Sequence, residues 1–365
     1  MKIALITSLL CGGGAARVLV GMANHWCKAG HDVVLYSFES EAHASFYPVD
    51  KGVKVIFLNI FGESFTLWER VRNNLNRFFV IRKALRAENP DVVISFIDTA
   101  NIRVLLAMLG SGIPVIVSER IHPAYEPLGR FWKVLRRITY PLADSLVVQT
   151  EAVRRHFADW RLGDVRVIPN PVKELPVLGE APQLQRPSIV AVGRVAKQKN
   201  YPLLLRSFAR LRCKHPEWNL YIAGKYARDA GIEAVLERHD LRDGVHFLGQ
   251  VADVGGVLAQ ADIYVLSSSY EGFPNALCEA MAAGLPCIAT DCPGGPADII
   301  TSGKNGVLVP NADDEAFSLA LGSMAEDDEK RFKLGQRALE IREFFSERRI
   351  MHMWEECINM VKDRR

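Results

Sequence analysis

The sequence lacks a long apolar segment. Among its 365 residues, no apolar run reaches the ~18 residues that a membrane-spanning helix needs. The opening stretch MKIALITSLLCGGG is apolar but carries a single Lys and leads directly into glycines. That pattern favours a buried first strand over a signal peptide, so we expect neither a span nor a leader.

Cysteine is sparse and shows no metal-binding pattern. The seven cysteines are odd in number and include no CxxC pair. Cys287 and Cys292 lie five apart, but no matching His or Cys pair stands elsewhere. We therefore expect no metal site and no disulfide framework, and reduced thiols favour a cytoplasmic protein.

Several common nucleotide and nucleic-acid motifs are also missing. The chain has no GK[ST] phosphate loop, and Arg17 stands where a dinucleotide fingerprint needs its third glycine, which disfavours an NAD oxidoreductase. No recognisable nucleic-acid module or aromatic-interleaved basic stripe is present, so no nucleic-acid partner is expected.

Positive charge is unevenly distributed between the two halves of the chain. Residues 1–168 hold 21 Lys and Arg against 15 Asp and Glu, whereas the remainder holds 24 against 27. The excess of cations in the first half indicates that this half meets an anionic partner.

Short β-branched runs alternate with helical patterns along most of the chain. Runs that are hydrophobic throughout and separated by helices predict parallel βαβ units covered on both faces. In the first half the predicted strands are 2–8, 32–37, 91–96, 114–119, 145–150 and 165–169; in the second they are 188–194, 219–224, 245–249, 263–268, 286–290 and 306–310. We expect an α/β protein with two Rossmann-like, doubly wound parallel-sheet domains facing across a cleft.

Composition also places the domain boundaries. The proline-rich stretch 171–187 favours an extended linker between a domain at 1–170 and a second domain at 188–345. Residues 346–365 are expected to form a helix that crosses back to the first domain.

The stretch SYEGFPNALCEAMAAG at 268–283 is the first candidate site. A strand should end before it and a helix should run from about Pro274 to Ala283. The N–H groups of Asn275, Ala276 and Leu277 would then lack intrahelical partners and suit a phosphate. Glu279 could bind a ribose diol and Glu271 a sugar hydroxyl. The alternative is an ordinary helix start with an acidic first turn.

Two further loops lie at strand ends. In GRVAKQKN at 193–200, Arg194 and Lys199 could neutralise a diphosphate, although such a run is usually a solvated basic loop. In LCGGGAAR at 10–17, Gly13 and Gly14 would let backbone approach a phosphate closely, unless they only make a tight strand–helix turn.

Together these motifs resemble glycosyltransferase family 4, retaining enzymes of the GT-B fold that use nucleotide-diphosphate sugars. The family's E-x7-E is matched by Glu271 and Glu279, its basic loop by Arg194, Lys199 and Asn200, and its GGAER loop by residues 13–17. The resemblance covers nearly the whole chain.

The resemblance implies a role for each matched position. Arg194 and Lys199 would neutralise the donor diphosphate, Glu279 would bind ribose and Glu271 would hold the donor sugar. The stretch 247–251 would face the base, through Gly249 and Val251. No metal is expected, because two cations and a helix N-terminus can stabilise a leaving diphosphate. The remaining implied donor contacts are Gly13, Gly14, Gly272, Phe273, Pro274, Asn275, Ala276 and Leu277.

The acceptor side departs from the family pattern. Ala16 replaces the Glu of GGAER, the AGDG-type turn reads Ala-Gly-Lys-Tyr at 223–226, and SERIHP puts Arg120 in the slot of a frequent His, with His122 two later. Arg17, Arg120 and His122 are therefore candidates for binding the acceptor. Asp98 is a candidate for orienting the acceptor hydroxyl, the alternative being an N-cap of helix 99–109.

The segment 64–86 predicts an amphipathic helix. Its stripe is edged by six cations between Arg70 and Arg86 with no acid among them, and GRFWKVLRR at 129–137 has the same character. An apolar face edged by cations suits an anionic membrane, the alternative being a core helix with a solvated basic face. The region resembles N-acetylgalactosamine transferases that extend polyprenyl-diphosphate-linked glycans, which implies that Arg70 and Arg77 hold the lipid diphosphate. The apolar stripe comprises Leu67, Trp68, Val71, Leu75, Phe78, Ile81 and Leu85.

These observations predict a glycosyltransferase, and the resemblance to the family implies that it retains the anomeric configuration. It would move a hexose or N-acetylhexosamine from a UDP-sugar to a lipid-linked glycan, in the cytoplasm at the inner membrane face. A lipopolysaccharide, capsule, exopolysaccharide or soluble acceptor, a GT-B nucleotide-sugar epimerase and a non-catalytic membrane scaffold are the alternatives.

Overall fold

A computed structural model gives the fold. It describes residues 1–41, 45, 47–62, 66–125, 128–172, 175–226 and 229–364, and gives only the backbone for residues 67, 70, 71 and 230. The chain divides into two compact units. The first comprises Met1–Asn170 with Ile350–Arg365, and the second comprises Pro171–Arg349.

The first unit is built on a seven-stranded sheet in the order β3-β2-β1-β4-β5-β6-β7. Every adjacent pair is parallel, and residues 3–6, 33–36 and 92–96 are buried on both faces. The strands are β1 (Lys2–Thr7), β2 (Asp32–Ser37), β3 (Lys54–Phe57), β4 (Val92–Phe96), β5 (Val115–Ser118), β6 (Ser145–Val148) and β7 (Val165–Val167).

Helices connect these strands. The last helix of the chain also packs in this unit. Trp354 of that helix is 1% exposed and stacks on Phe96 of β4 at 6.1 Å between ring centroids. The helices are α1 (Gly14–Lys28), α2 (Leu67–Glu88), α3 (Asp98–Met108), α4 (Arg130–Thr139), α5 (Glu151–His156) and α14 (Glu347–Asp363).

The second unit repeats this architecture with six parallel strands in the order β10-β9-β8-β11-β12-β13. Its strands are β8 (Ser188–Val192), β9 (Asn219–Ala223), β10 (Val245–Gly249), β11 (Ile263–Leu266), β12 (Cys287–Asp291) and β13 (Val307–Pro310). Its helices are α6 (Tyr201–Arg212), α7 (Ala230–Arg238), α8 (Val254–Gln260), α9 (Asn275–Ala282), α10 (Pro296–Ile299), α11 (Asp314–Glu326), α12 (Asp328–Ala338) and α13 (Ile341–Phe344).

The predicted pair of Rossmann-like parallel sheets is confirmed. The structure adds β3, which the sequence pattern missed because its four residues KVIF are only partly buried at the sheet edge. The stretch 171–187 contains no helix or strand in its described part, yet it is not a free linker. Val172 and Leu184 are buried in the core of the second unit, and Asp253 accepts hydrogen bonds from the backbone of Leu178 and Glu180.

Helix α2 divides its apolar stripe between core and solvent. It begins after Thr66, whose side chain forms a capping box with Glu69; residues 64 and 65 of the predicted helix lie outside the described residues. Ile81 and Leu85 are fully buried, whereas Trp68 and Leu75 are 82% and 55% exposed. The C-terminal half is thus a core helix and the N-terminal half presents apolar side chains to solvent. No helix in the described residues is long and apolar enough to cross a bilayer.

Candidate functional site

The side chain of Glu271 is the centre of a hydrogen-bonded cluster in the second unit. Lys199 Nζ lies 2.6 Å from its Oε1, Ser268 Oγ donates to the same oxygen at 2.6 Å, and Gln198 Nε2 donates to Oε2 at 3.2 Å. Glu271 is 5% exposed, so this is an ion pair largely withdrawn from water. The cluster thus joins a cation and a carboxylate that follow neighbouring strands, a contact that the sequence did not predict.

Adjacent strands bring these groups together. Lys199 ends a 3₁₀ turn (Lys197–Lys199) that follows β8, and Glu271 follows β11, which pairs with β8. The loop is tied to the end of β11 by Ser267 Oγ, which donates to the carbonyl of Lys199 at 2.7 Å. The sequence analysis missed Gln198 and Ser268; their only signal was position, because both are polar residues at the carboxyl ends of strands.

Two glycines fix the backbone on either side of Glu271. Gly294 has φ +103°, and a Cβ there would come within 1.7 Å of the Glu271 carbonyl oxygen. Gly224, at the end of β9, packs so closely that a Cβ would lie 2.1 Å from the carbonyl oxygen of Gly193. Backbone therefore meets backbone at this sheet edge, and no side chain fits at either contact.

Arg194 differs from Lys199. It follows Gly193 directly, is exposed and forms no ion pair with any residue that the structure describes. A cation held at the carboxyl edge of a parallel sheet without an acidic partner is available to an anion.

Helix α9 follows the Glu271 turn. It starts at Asn275 with Pro274 as N-cap and no side-chain cap, and Ala276 and Leu277 lie in its first turn. The N–H of Asn275 already donates to the Phe273 carbonyl at 2.9 Å, unlike the expectation from the sequence. Intrahelical carbonyls cannot reach the N–H groups of Ala276 and Leu277, so these two suit a phosphate. Gly272 and Phe273 are buried before the helix, and Glu279 is half-buried one turn inside it.

The stretch 247–251 ends the outer strand of the same sheet. The pairing of β10 with β9 is irregular between Phe247 and Gly249, and Gly249 has φ +66° with open space around it. Gly249 and Val251 are both partly exposed. This edge therefore offers backbone rather than charged side chains.

In the first unit, Glu39 holds the glycine loop. Its carboxylate, which is 4% exposed, accepts hydrogen bonds from the backbone N–H of Leu10 at 2.5 Å and Cys11 at 3.3 Å. Gly13 caps α1 and Gly14 begins it, and Arg17 donates its backbone N–H to the Gly13 carbonyl at 3.1 Å. The sequence analysis missed Glu39, because the chain places it far from the loop.

Asp98 is the first residue of α3 and not its N-cap, which is Ile97 with φ +76°. Its carboxylate is 3% exposed; Oδ1 accepts the N–H of Thr99, and Oδ2 has no hydrogen-bond partner among the described residues. The N-cap alternative is therefore wrong, and one carboxylate oxygen is buried without a donor among the described residues.

Arg120 and His122 are both buried in the first unit. Arg120 donates to Asn170 Oδ1 at 2.8 Å and lies 3.6 Å above the Phe96 ring, and burial lowers its pKa to about 9. The His122 ring packs edge-on to that of His156 at 5.7 Å, and burial together with His156 lowers the pKa of His122. His122 is therefore predominantly neutral at neutral pH.

Glu119 forms a buried network that the sequence analysis did not identify. Tyr140 donates its hydroxyl to Glu119 Oε1 at 2.5 Å, and Arg136 Nη1 lies 3.6 Å from the same oxygen. Burial raises the pKa of Glu119 to about 7, against the opposing effect of Arg136. Asn101 extends the network by donating to the Tyr140 oxygen at 3.2 Å. The cluster cross-links α3, α4 and the end of β5.

The cations predicted to bind a lipid diphosphate have different surroundings. The side chain of Arg70 lies outside the described residues. Arg77 donates from Nε to the carbonyl of Ile60 at 2.9 Å and from Nη2 to that of Gly62 at 2.6 Å. Arg77 therefore supports the loop before α2, and its burial lowers its pKa.

Comparisons with known proteins define the class. Residues 180–340 match the family model described as glycosyl transferases group 1, and residues 12–174 match glycosyltransferase family 4. The chain is 31% identical over 366 residues, covering 100% of this chain and 99% of the relative, to a Campylobacter jejuni GalNAc-α-(1→4)-GalNAc-α-(1→3)-diNAcBac-PP-undecaprenol α-1,4-N-acetyl-D-galactosaminyltransferase.

Solved structures of the same architecture agree. Sucrose-phosphate synthase from Thermosynechococcus elongatus superposes with a TM-score of 0.85 at 18% identity, covering 100% of both chains. The Anabaena protein HepE in complex with UDP superposes with a TM-score of 0.78 at 17% identity, covering 99% of this chain and 100% of its own. The fold is therefore the GT-B fold, and the molecule is an enzyme that transfers glycosyl groups. The chain belongs to glycosyltransferase family 4.

Proposed function

We propose that this enzyme transfers a hexose or N-acetylhexosamine, such as GalNAc, from a UDP-sugar to a polyprenyl-diphosphate-linked glycan, with retention of anomeric configuration. The observation that carries the donor side is the Lys199–Glu271 pair beside the start of α9. The acceptor class rests on the full-length similarity to the Campylobacter jejuni transferase.

The donor diphosphate would lie between the cations and the helix start. Lys199 and Arg194 would oppose the charge that develops as the nucleotide leaves, and the first turn of α9 would add N–H groups. Glu271 would hold the Lys199 ammonium in place and accept a hydroxyl of the sugar. Glu279 would accept the ribose hydroxyls, and Gly249 and Val251 would present backbone to the base. These groups supply the charge stabilisation without a metal ion.

The acceptor would be bound by the first unit. The unpartnered Oδ2 of Asp98 would accept and orient the attacking hydroxyl. The exposed apolar residues and cations of α2 and α4 would hold the enzyme on the anionic inner face of the cell membrane.

Calorimetric titration of nucleoside diphosphates tests the donor side. UDP should bind, and Glu279→Ala should weaken its affinity about tenfold to a hundredfold, because a ribose diol loses a charged acceptor. Glu237→Ala is the matched control, since Glu237 is an exposed carboxylate on α7 of the same unit. GDP, ADP and CMP complete the panel. Equal UDP affinity in the Glu279→Ala and wild-type proteins would contradict the ribose assignment.

A further inference from the structure

A pocket of about 320 Å³ opens in the first unit. It lies between α2, α3 and α4, and its volume falls at the lower end of the range for small-molecule sites. Apolar side chains make up most of its wall. They are Leu75, Phe78, Leu106, Phe131, Trp132 and Leu135.

Among the described residues that line this pocket, Arg103 is the one cation. The Arg103 guanidinium stacks 4.7 Å above the Trp132 ring, and its Nε has no hydrogen-bond partner among the described residues. Burial lowers the pKa of Arg103 to about 10, which leaves it charged at neutral pH. The pocket thus combines a hydrocarbon lining with one positive charge.

The surface around the pocket is likewise apolar and positively charged. Phe79 on α2 and Ile138 on α4 are 63% and 62% exposed, and exposed apolar groups of this size mark interaction or membrane surfaces. No acidic residue occurs between 70 and 86 or between 130 and 139. The exposed cations on these two helices, among the described residues, are Arg72, Lys83, Arg86, Arg130, Lys133 and Arg137.

We propose that this pocket binds the polyprenyl chain of the acceptor lipid, with the surrounding cations facing its anionic head and the membrane. This inference rests on the proposed function for the identity of the lipid. A pocket of this size accommodates a short segment of one chain, so only the isoprene units nearest the head group would lie in it. A polyprenyl carrier has one chain, whereas a two-chain phospholipid would leave its second chain outside.

Charge decides against a second copy of the enzyme as the occupant. A two-fold symmetric contact would place this surface against itself. The cations of α2 and α4 would then face the same cations, with no acid between residues 70 and 86 or 130 and 139 to offset them. An anionic amphiphile complements both the lining and the charge.

Titration of soluble amphiphiles into the full chain tests the proposal. The probes are farnesyl diphosphate, inorganic diphosphate and dihexanoyl phosphatidylglycerol. Farnesyl diphosphate should bind at least tenfold more tightly than either of the others. Leu106→Phe and Leu135→Phe should each weaken its affinity at least tenfold, because an added ring occupies the space of the chain.

Leu109→Phe is the matched control. Leu109 follows the last residue of α3, three positions after Leu106, is 57% exposed and does not line this pocket. It should leave farnesyl diphosphate affinity unchanged. Equal effects of Leu106→Phe, Leu135→Phe and Leu109→Phe would overturn the proposal. So would equal affinity for inorganic diphosphate, which would make the head group the ligand, or for the two-chain lipid, which would make bulk lipid the occupant.

UDP titration of the same proteins separates this proposal from the donor assignment. Retained UDP affinity shows that a pocket variant is folded, and having two filling variants guards against one that does not fold. Wild-type protein that binds farnesyl diphosphate but no UDP would contradict the proposed donor and leave the pocket proposal supported.

Discussion

Lys199→Met is expected to lower kcat by about a hundredfold to a thousandfold, the range for removing one preorganised group that stabilises developing charge. Lys199 is the cation that the structure fixes most firmly at the donor site. Its Nζ lies 2.6 Å from Glu271 Oε1, its side chain is 16% exposed, and its carbonyl is held by Ser267. A group already in place when the nucleotide departs does not have to reorganise.

The same substitution should also destabilise the fold. It removes one partner of a largely buried pair, and in the described part of the chain the Glu271 carboxylate keeps Ser268 and Gln198 as donors. Loss of one partner of such a pair costs about 3 kcal/mol. Turnover is therefore measured well below the melting temperature, with the folded fraction checked by circular dichroism.

Lys197→Met provides the control. Lys197 begins the same 3₁₀ turn and is exposed, so it shares the local charge without the contact to Glu271. It should change kcat by less than about threefold, because exposed charges are screened by water and salt. A similar loss of kcat in both variants would show that the net charge of the loop matters, rather than the position of the Lys199 ammonium beside Glu271.

Gly294→Ala is expected to disrupt the donor site through the backbone. The added Cβ would come within 1.7 Å of the Glu271 carbonyl oxygen, and φ is +103°. The Glu271 turn would have to move, although the Pro293 carbonyl accepts the Glu271 N–H at 2.8 Å. We expect a loss of unfolding free energy above about 4 kcal/mol, the size reserved for severe steric changes, together with loss of UDP binding.

Gly303→Ala separates this clash from backbone strain. Gly303 also has a positive φ, +79°, but a Cβ there would meet nothing within 4 Å. It should cost only about 1–2 kcal/mol, the cost of the left-handed conformation itself, and should leave UDP affinity intact. Urea unfolding measures the unfolding free energy of the two variants, and the comparison is valid if their m-values are equal. Equal losses of unfolding free energy in both variants would mean that the Glu271 turn moves to accommodate the added Cβ at little cost.

The sequence placed Glu271 and Lys199 at the same edge of a sheet, because both follow strands and parallel strands end at one edge. It did not show that their side chains form an ion pair. Glu39 and Gln198 also follow strands, but nothing in the sequence distinguished them from other polar residues at such ends. A carboxylate that holds backbone N–H groups, or an amide that bonds a carboxylate, leaves no spacing signal along the chain.

Helix α2 shows why an apolar stripe and a run of cations do not by themselves define a surface. Ile81 and Leu85 are buried in the hydrophobic core of the first unit, whereas Leu75 is 55% exposed. Arg77 belongs to the cation run but donates to the carbonyls of Ile60 and Gly62. Periodicity gives the face of a helix, but only the tertiary structure shows where along that face the core ends.

The most direct test of the proposed function is a transfer assay. The enzyme is incubated with UDP-GalNAc, UDP-GlcNAc or UDP-glucose and a polyprenyl-diphosphate-linked glycan, in the presence of EDTA, and the product is analysed by mass spectrometry and NMR. We predict addition of sugar to the lipid-linked glycan with retained anomeric configuration, undiminished by EDTA and lost in Lys199→Met. Donor turnover without acceptor, transfer only to a lipopolysaccharide or soluble glycan, or inversion of configuration would contradict the proposal.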